Sequence, residues 1–176
     1  AFFVKDIGVG TYGILCKRDI AGITNAGIEI YLTGGNTINA RISDGTNTTL
    51  LSVNAAELND SGWHSIIVNI PDSGNLEIFV DKISKGTIPR GSVGNLDNSR
   101  DAYLFARDNA GTIQDKLSAK ASGLVWKKEL FSSSQIAEYN DEGIIDLSSA
   151  LAEVATMLFA GNTKPQPNAA LGGFYV

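Results

Sequence analysis

The residues able to do chemistry in this 176-residue chain are few, and their spacing narrows what that chemistry is. Glu77 and Asp81 stand at the two ends of Glu77-Ile78-Phe79-Val80-Asp81. In a regular strand they lie ~13 Å apart. Cleavage of a glycosidic bond needs two carboxyl groups ~5 to 9.5 Å apart, so this pair does not supply it. A second acidic group, Asp97-Asn98-Ser99-Arg100-Asp101 with Asp108-Asn109 after it, offers oxygen ligands of the kind calcium takes. Asp97, Asn98 and Asp101 are the metal-ligand candidates, although the run lacks a closing bidentate acid; turn-forming Asx residues are the alternative reading. The chain has one histidine, His64, and one cysteine, Cys16. That rules out paired-histidine zinc sites and an intrachain disulfide, and rests any nucleophile-base pair on a single imidazole. His64 is expected to be structural and Cys16 a buried small hydrophobe. Tyr12, Tyr31 and Tyr103, each flanked by turn residues, are the candidates for stacking on a sugar ring.

The bulk of the chain exists to position such groups, and its composition bounds the partners. Lys and Arg total 14 against 19 Asp and Glu, a net charge of −5 that disfavours phosphate backbones and anionic lipid. Nucleic acid is not an expected partner. Hydrophobic residues make up 43% and charged residues 19%, with 19 glycines and only 4 prolines, which fits one compact globular domain. No apolar run reaches the ~18 to 20 residues of a membrane span; the best, around 150–160, is broken by Glu153 and Thr156. Membrane insertion is not expected. The chain opens Ala1-Phe2-Phe3-Val4 rather than with Met, so its compartment is not read from this end.

Short stretches of β-branched and aromatic residues alternate with Gly, Asn, Asp and Ser clusters through the first two-thirds, the pattern of an all-β domain. Strands are predicted over 13–17, 27–32, 37–42, 48–53, 63–70 and 76–81, with later ones at 102–106 and 118–126. Residues 34–36 form a turn, and the connection at 44–47 is short enough for a hairpin. Both faces of 63–70 carry apolar groups, which predicts a central strand. Ser132-Ser133-Ser134-Gln135 is a capping-box pattern, so a short helix is expected over about 132–140. Asp146 heads a second helical stripe through Leu147, Leu151, Val154 and Leu158. The remainder, 163–176, carries Pro165 and Pro167 and reads as an extended tail whose Leu171, Phe174, Tyr175 and Val176 need a surface.

From Tyr12 to about Gly143 the order of features resembles the laminin-G-like branch of the concanavalin A-like lectin/glucanase jelly rolls. Ser61-Gly62-Trp63-His64-Ser65-Ile66-Ile67-Val68 resembles the family's Gly-Trp-His followed by a strand. Gly74 to Lys82 is similar to its next strand, with Asp81-Lys82 where Asp-Gly is usual. Gly123-Leu124-Val125-Trp126 through Ile136 resembles the closing strand and short helix. The resemblance implies an all-β, antiparallel two-sheet jelly-roll sandwich with one or two short C-terminal helices. It divides the chain into a jelly-roll domain over 1–145 and a C-terminal helix and extended tail over 146–176. It implies an edge strand beside Ala1 to Lys5 that the sequence does not show, and places Trp63 and Trp126 in the core. Laminarinase-like members of the superfamily carry three acids on alternate positions of one strand; here Phe79 stands in the middle place.

The function expected is therefore non-catalytic: a surface binding or adhesion module facing a glycan or a neighbouring subunit. By analogy with phage and cell-surface proteins it belongs outside the cell or on a virion, within a larger assembly. No cofactor is required beyond calcium at the acidic loop, if that loop binds it. The alternatives are a structural capsid or fibre element that assembles through its tail and, further off, a glycoside hydrolase.

Overall fold

The computed structural model describes residues 1–142 except Gly35 and Lys128, together with the backbone of Val154–Thr156. In chain order the elements are β1 (Phe2–Lys5), β2 (Thr11–Lys17), β3 (Gly27–Thr33), β4 (Thr37–Ser43) and β5 (Thr48–Asn54). A 3-10 turn at Ala56–Asn59 leads to β6 (His64–Asn69), β7 (Asn75–Val80), β8 (Ile83–Pro89) and β9 (Tyr103–Leu104). There follow β10 (Arg107–Asn109), β11 (Thr112–Gln114), β12 (Lys120–Ser122), β13 (Val125–Lys127), α1 (Ser133–Glu142) and β14 (Val154–Thr156).

Two five-stranded antiparallel sheets face each other, one in the order β12-β1-β6-β7-β8 and the other β5-β4-β3-β2-β9. Alternation puts Ile28, Ile30 and Leu32 of β3 and Ile38, Ala40 and Ile42 of β4 against Ile66, Leu76, Ile78 and Val80 of the first sheet. Each fully buried side chain of this size contributes roughly 1.5–3 kcal/mol. The first sheet is apolar on its outer face as well. Phe3 and Ile67 there meet Phe131, Ile136 and Tyr139 from the α1 segment, with the Phe3 and Tyr139 rings stacked at 4.8 Å. This explains the two-faced apolar pattern of β6. The helix starts as its capping box predicts: Gln135 N–H donates to Ser132 Oγ at 3.3 Å, and Ser132 N–H donates back to Gln135 Oε1 at 3.1 Å.

Three expectations change. The strand at Ala1 to Lys5 is no open edge, because β12 pairs with β1 on the side away from β6. Trp126 is not a core residue but 44% exposed, while Trp63 packs partly buried beside Phe3 and Ile67. Val154–Thr156, expected in a second helix, form a strand against Val125–Lys127, where β-branched Val154 and Thr156 suit the ladder. The rest of that expected helix and the tail lie outside the described residues.

Candidate ligand-binding site

The outer face of the second sheet is built differently from that of the first: no helix covers it among the described residues, and its rows are polar. Directly opposed residues share a face. One row therefore runs Tyr103, Cys16, Glu29, Arg41, Leu50 across β9, β2, β3, β4 and β5, and the next runs Gly13, Tyr31, Asn39, Ser52. The β10–β11 hairpin folds over the β2 side of this face. Gly13 permits that approach, since a Cβ there would stand 2.4 Å from the Ala106 carbonyl and 2.7 Å from Arg107 Cγ. The Gly13 N–H donates to the Asp115 carbonyl at 2.7 Å.

Glu29 is the centre of the arrangement and is fully buried. Its Oε1 accepts from Arg107 Nε at 2.5 Å and its Oε2 from Arg18 Nη1 at 3.1 Å and Arg41 Nη1 at 3.4 Å. Arg107 also donates to Asp115 Oδ2 at 2.8 Å, and its guanidinium lies 4.4 Å over the Tyr31 ring. Arg18 is saturated: it is wholly buried and donates to the Asn25, Gly22 and Ile23 carbonyls besides Glu29. Burial pulls its pKa down, opposed by Glu29. Arg41 is the loosely held member. Its two bonds, to Glu29 and to the Tyr31 hydroxyl, are 3.4 and 3.3 Å long, and its buried Nε has no acceptor among the described residues. Among the described residues three guanidinium groups meet two carboxylates here, which leaves one positive charge in surplus. An anionic ligand group is the natural complement of that surplus.

Of the three tyrosines, the structure puts only Tyr31 in this cluster. Its ring face is covered by Arg107 and its hydroxyl accepts from Arg41, so it orients the guanidinium groups and does not lie bare for a sugar. Tyr103 is half-buried opposite Cys16, further along the row. Tyr12 points to the core side opposite Leu32, with its hydroxyl donating to the Val9 carbonyl at 3.2 Å. Sequence reasoning missed Arg18, Glu29, Arg41 and Arg107. The signal available was an acid in the middle of the Ile-rich β3, paired across a short hairpin with an arginine.

In the acidic loop, Asn98 is tied to the sheet. Asn98 donates its amide to the Lys17 and Ala26 carbonyls at 2.9 and 3.0 Å, and its Oδ1 accepts from Arg100 N–H at 2.9 Å. Asp97 and Asp101 are exposed, and no group of three metal-type side chains occurs among the described residues. Glu77 accepts from the Ser84 hydroxyl, and Asp81 from His64 Nδ1 at 2.7 Å and Ser65 N–H at 2.9 Å. The other ring nitrogen of His64 meets Asp60 at 2.8 Å. Burial alone lowers the His64 pKa, but the bonds to Asp81 and Asp60 outweigh it and hold it above the ordinary value.

A cavity of about 230 Å³ also opens between the sheets, lined by Phe2, Ile14, Leu124, Trp126 and Leu130. The guanidinium of Arg90, which also lines it, is spent on the Val93, Pro71 and Gly94 carbonyls.

The architecture is an antiparallel two-sheet jelly-roll sandwich. No family model and no curated protein matches this sequence. Among solved structures it is similar to the CBM40 module of the Ruminococcus gnavus IT-sialidase, with a TM-score of 0.61 and 10% identity over 79% of each chain. The same module bound to α2,3-sialyllactose gives a TM-score of 0.60 at 11% identity, over 79% of this chain and 80% of that one. The binding domain of Paraclostridial Mosquitocidal Protein 1 gives 0.59 at 10% identity, over 80% of this chain and 35% of that chain. At such identities the likeness establishes the fold.

Proposed function

We propose that this domain is a non-catalytic glycan-binding module that receives the carboxylate of an acidic sugar at Arg41. The observation that carries the reading is the Arg41 guanidinium, 17% exposed and held only by bonds of 3.4 and 3.3 Å, in a cluster holding one positive charge too many among the described residues. Arginine presents a planar fork of donors that matches a carboxylate, and here the two terminal nitrogens of that fork are only weakly engaged. The likeness to a sugar-binding module in complex with sialyllactose supports the choice of sugar class. The commitment of Glu77 and Asp81 to internal bonds supports a binding role over hydrolysis. Sugars of this class decorate outer surfaces, so the module acts in attachment there, as part of an extracellular or virion-borne assembly.

Titration of the chain with 3′-sialyllactose and with lactose tests the reading. The expected result is saturable binding of the sialylated sugar alone, weakened at least about tenfold in Arg41→Ala, as loss of a charge-assisted bond implies. Equal binding of both sugars, or an Arg41→Ala chain that binds as the native one does, would overturn it.

A further inference from the structure

The hairpin that carries Arg107 has little apolar anchorage of its own. Its strands are three residues each, and Ile113, its one large apolar residue, is 38% exposed. A hairpin this short is marginal without outside support. Its support at the turn is polar. Asp19 Oδ1 accepts from Ala110 N–H at 2.9 Å as well as from Ala21 N–H at 2.8 Å, Asp108 Oδ1 accepts from Gly111 N–H at 2.8 Å, and Ile20 N–H donates to the Asp108 carbonyl at 2.9 Å. Two acids, Asp19 and Asp108, are thereby brought side by side, both buried. The cation between them is Arg100, with Nη2 2.8 Å from Asp19 Oδ2 and Nη1 3.6 Å from Asp108 Oδ2. Arg100 itself is fixed by its loop: Lys17 Nζ donates to the Asn98 and Arg100 carbonyls, both at 3.1 Å.

We infer that Arg100 is a positioning residue for glycan binding, a built-in cation that locks the Asp19 loop to the β10–β11 hairpin and so holds Arg107 over Tyr31. The inference rests on the Arg41 face being the glycan site. Without the guanidinium the two buried carboxylates repel, and the hairpin turn is the part free to move, because the Asp19 carbonyl is held within its own loop by Asn25 at 3.1 Å, itself held by Arg18. The ring of Tyr31 then loses its cover and Glu29 loses the shortest of its three arginine contacts.

Amide hydrogen exchange on Arg100→Ala and Arg100→Lys, beside 3′-sialyllactose titrations of both, tests this. With the side chain of Arg100 46% exposed, neither change removes core. In Arg100→Ala, exchange at Ala110 and Gly111 is expected to speed up about fivefold or more while β3 and β4 amides keep native protection, and affinity to fall by a similar factor. Arg100→Lys restores part of both. Native exchange at Ala110 and Gly111 in Arg100→Ala would overturn the lock whether or not any sugar binds. Faster exchange with unchanged affinity would overturn the positioning role. A native chain that ignores sialyllactose while exchange still responds to Arg100→Ala would fail the proposed function and leave the lock standing as a stabilising device alone.

Discussion

The guanidinium of Arg107 lies 4.4 Å over the ring of Tyr31 and donates at the same time to Glu29, which also receives Arg18 and Arg41. A single buried carboxylate thus holds three cations in place. Removing one member of a buried ion pair leaves the other uncompensated, which costs ~3–5 kcal/mol. Glu29→Gln, nearly the same shape, is expected to destabilise the domain by about that amount, read as a shifted urea midpoint with an unchanged slope. A cost below ~1 kcal/mol would show that the arginines are neutralised elsewhere.

Much of the fold was legible because the burial signal is periodic. The strands from Gly27 to Asn54 sit within a residue of the expected bounds, since Ile28, Ile30, Leu32 and their partners alternate without a break. β8 escaped because Ser84, Lys85, Gly86 and Thr87 form an edge that buries almost nothing, and edges carry no apolar alternation. The hairpin escaped because its turn uses Ala110 at φ 50°, a conformation that alanine does not advertise. The site was half legible. Pairing Thr33 with Thr37 across the short turn sets Glu29 opposite Arg41 without any structure. Arg107 reaches the same carboxylate from 78 residues away, through a tertiary approach that only Gly13 permits, and no local pattern marks that.

His64 makes stability depend on pH in one direction. Both its ring nitrogens face carboxylate oxygens, so the protonated ring donates twice, whereas the neutral ring must turn one lone pair toward an acid. Its folded pKa is raised above the ordinary 6.5, and the group therefore contributes stability that is full below about pH 6.5 and is lost as pH rises through the folded value. The melting-temperature gap between the native chain and His64→Gln is expected to be widest at pH 6 and to narrow as pH rises through the folded value. A gap that widened with pH would contradict the doubly bonded imidazolium.

Asn98 ties the acidic loop to the ends of β2 and β3 through two carbonyls that would otherwise lack this donor. Leaving such groups unsatisfied costs ~1–3 kcal/mol, so Asn98→Ala is expected to destabilise the domain by that amount. With the amide so engaged and Arg100 already paired to two acids, added millimolar calcium is expected to leave the melting temperature of the native chain unchanged. A calcium-dependent rise abolished by Asp97→Ala/Asp101→Ala would instead establish a metal site there.

The surplus charge at Arg41 predicts how strongly a correct ligand should stabilise the fold. A ligand that binds only the native state adds RT ln(1 + [L]/Kd), or ~2.7 kcal/mol at a concentration a hundred times Kd. For a domain of this size each kcal/mol raises the melting temperature by ~2–4 °C, so saturating 3′-sialyllactose is expected to raise it by ~5–11 °C. Lactose, without a carboxylate, leaves the surplus charge at Arg41 as it was and is expected to raise it little. Arg41→Ala removes the surplus cation itself, so its own melting temperature should change modestly while its response to sialyllactose disappears. Thermal melts of both chains with both sugars measure this directly. A response to sialyllactose that survives in Arg41→Ala would move the binding site off this face.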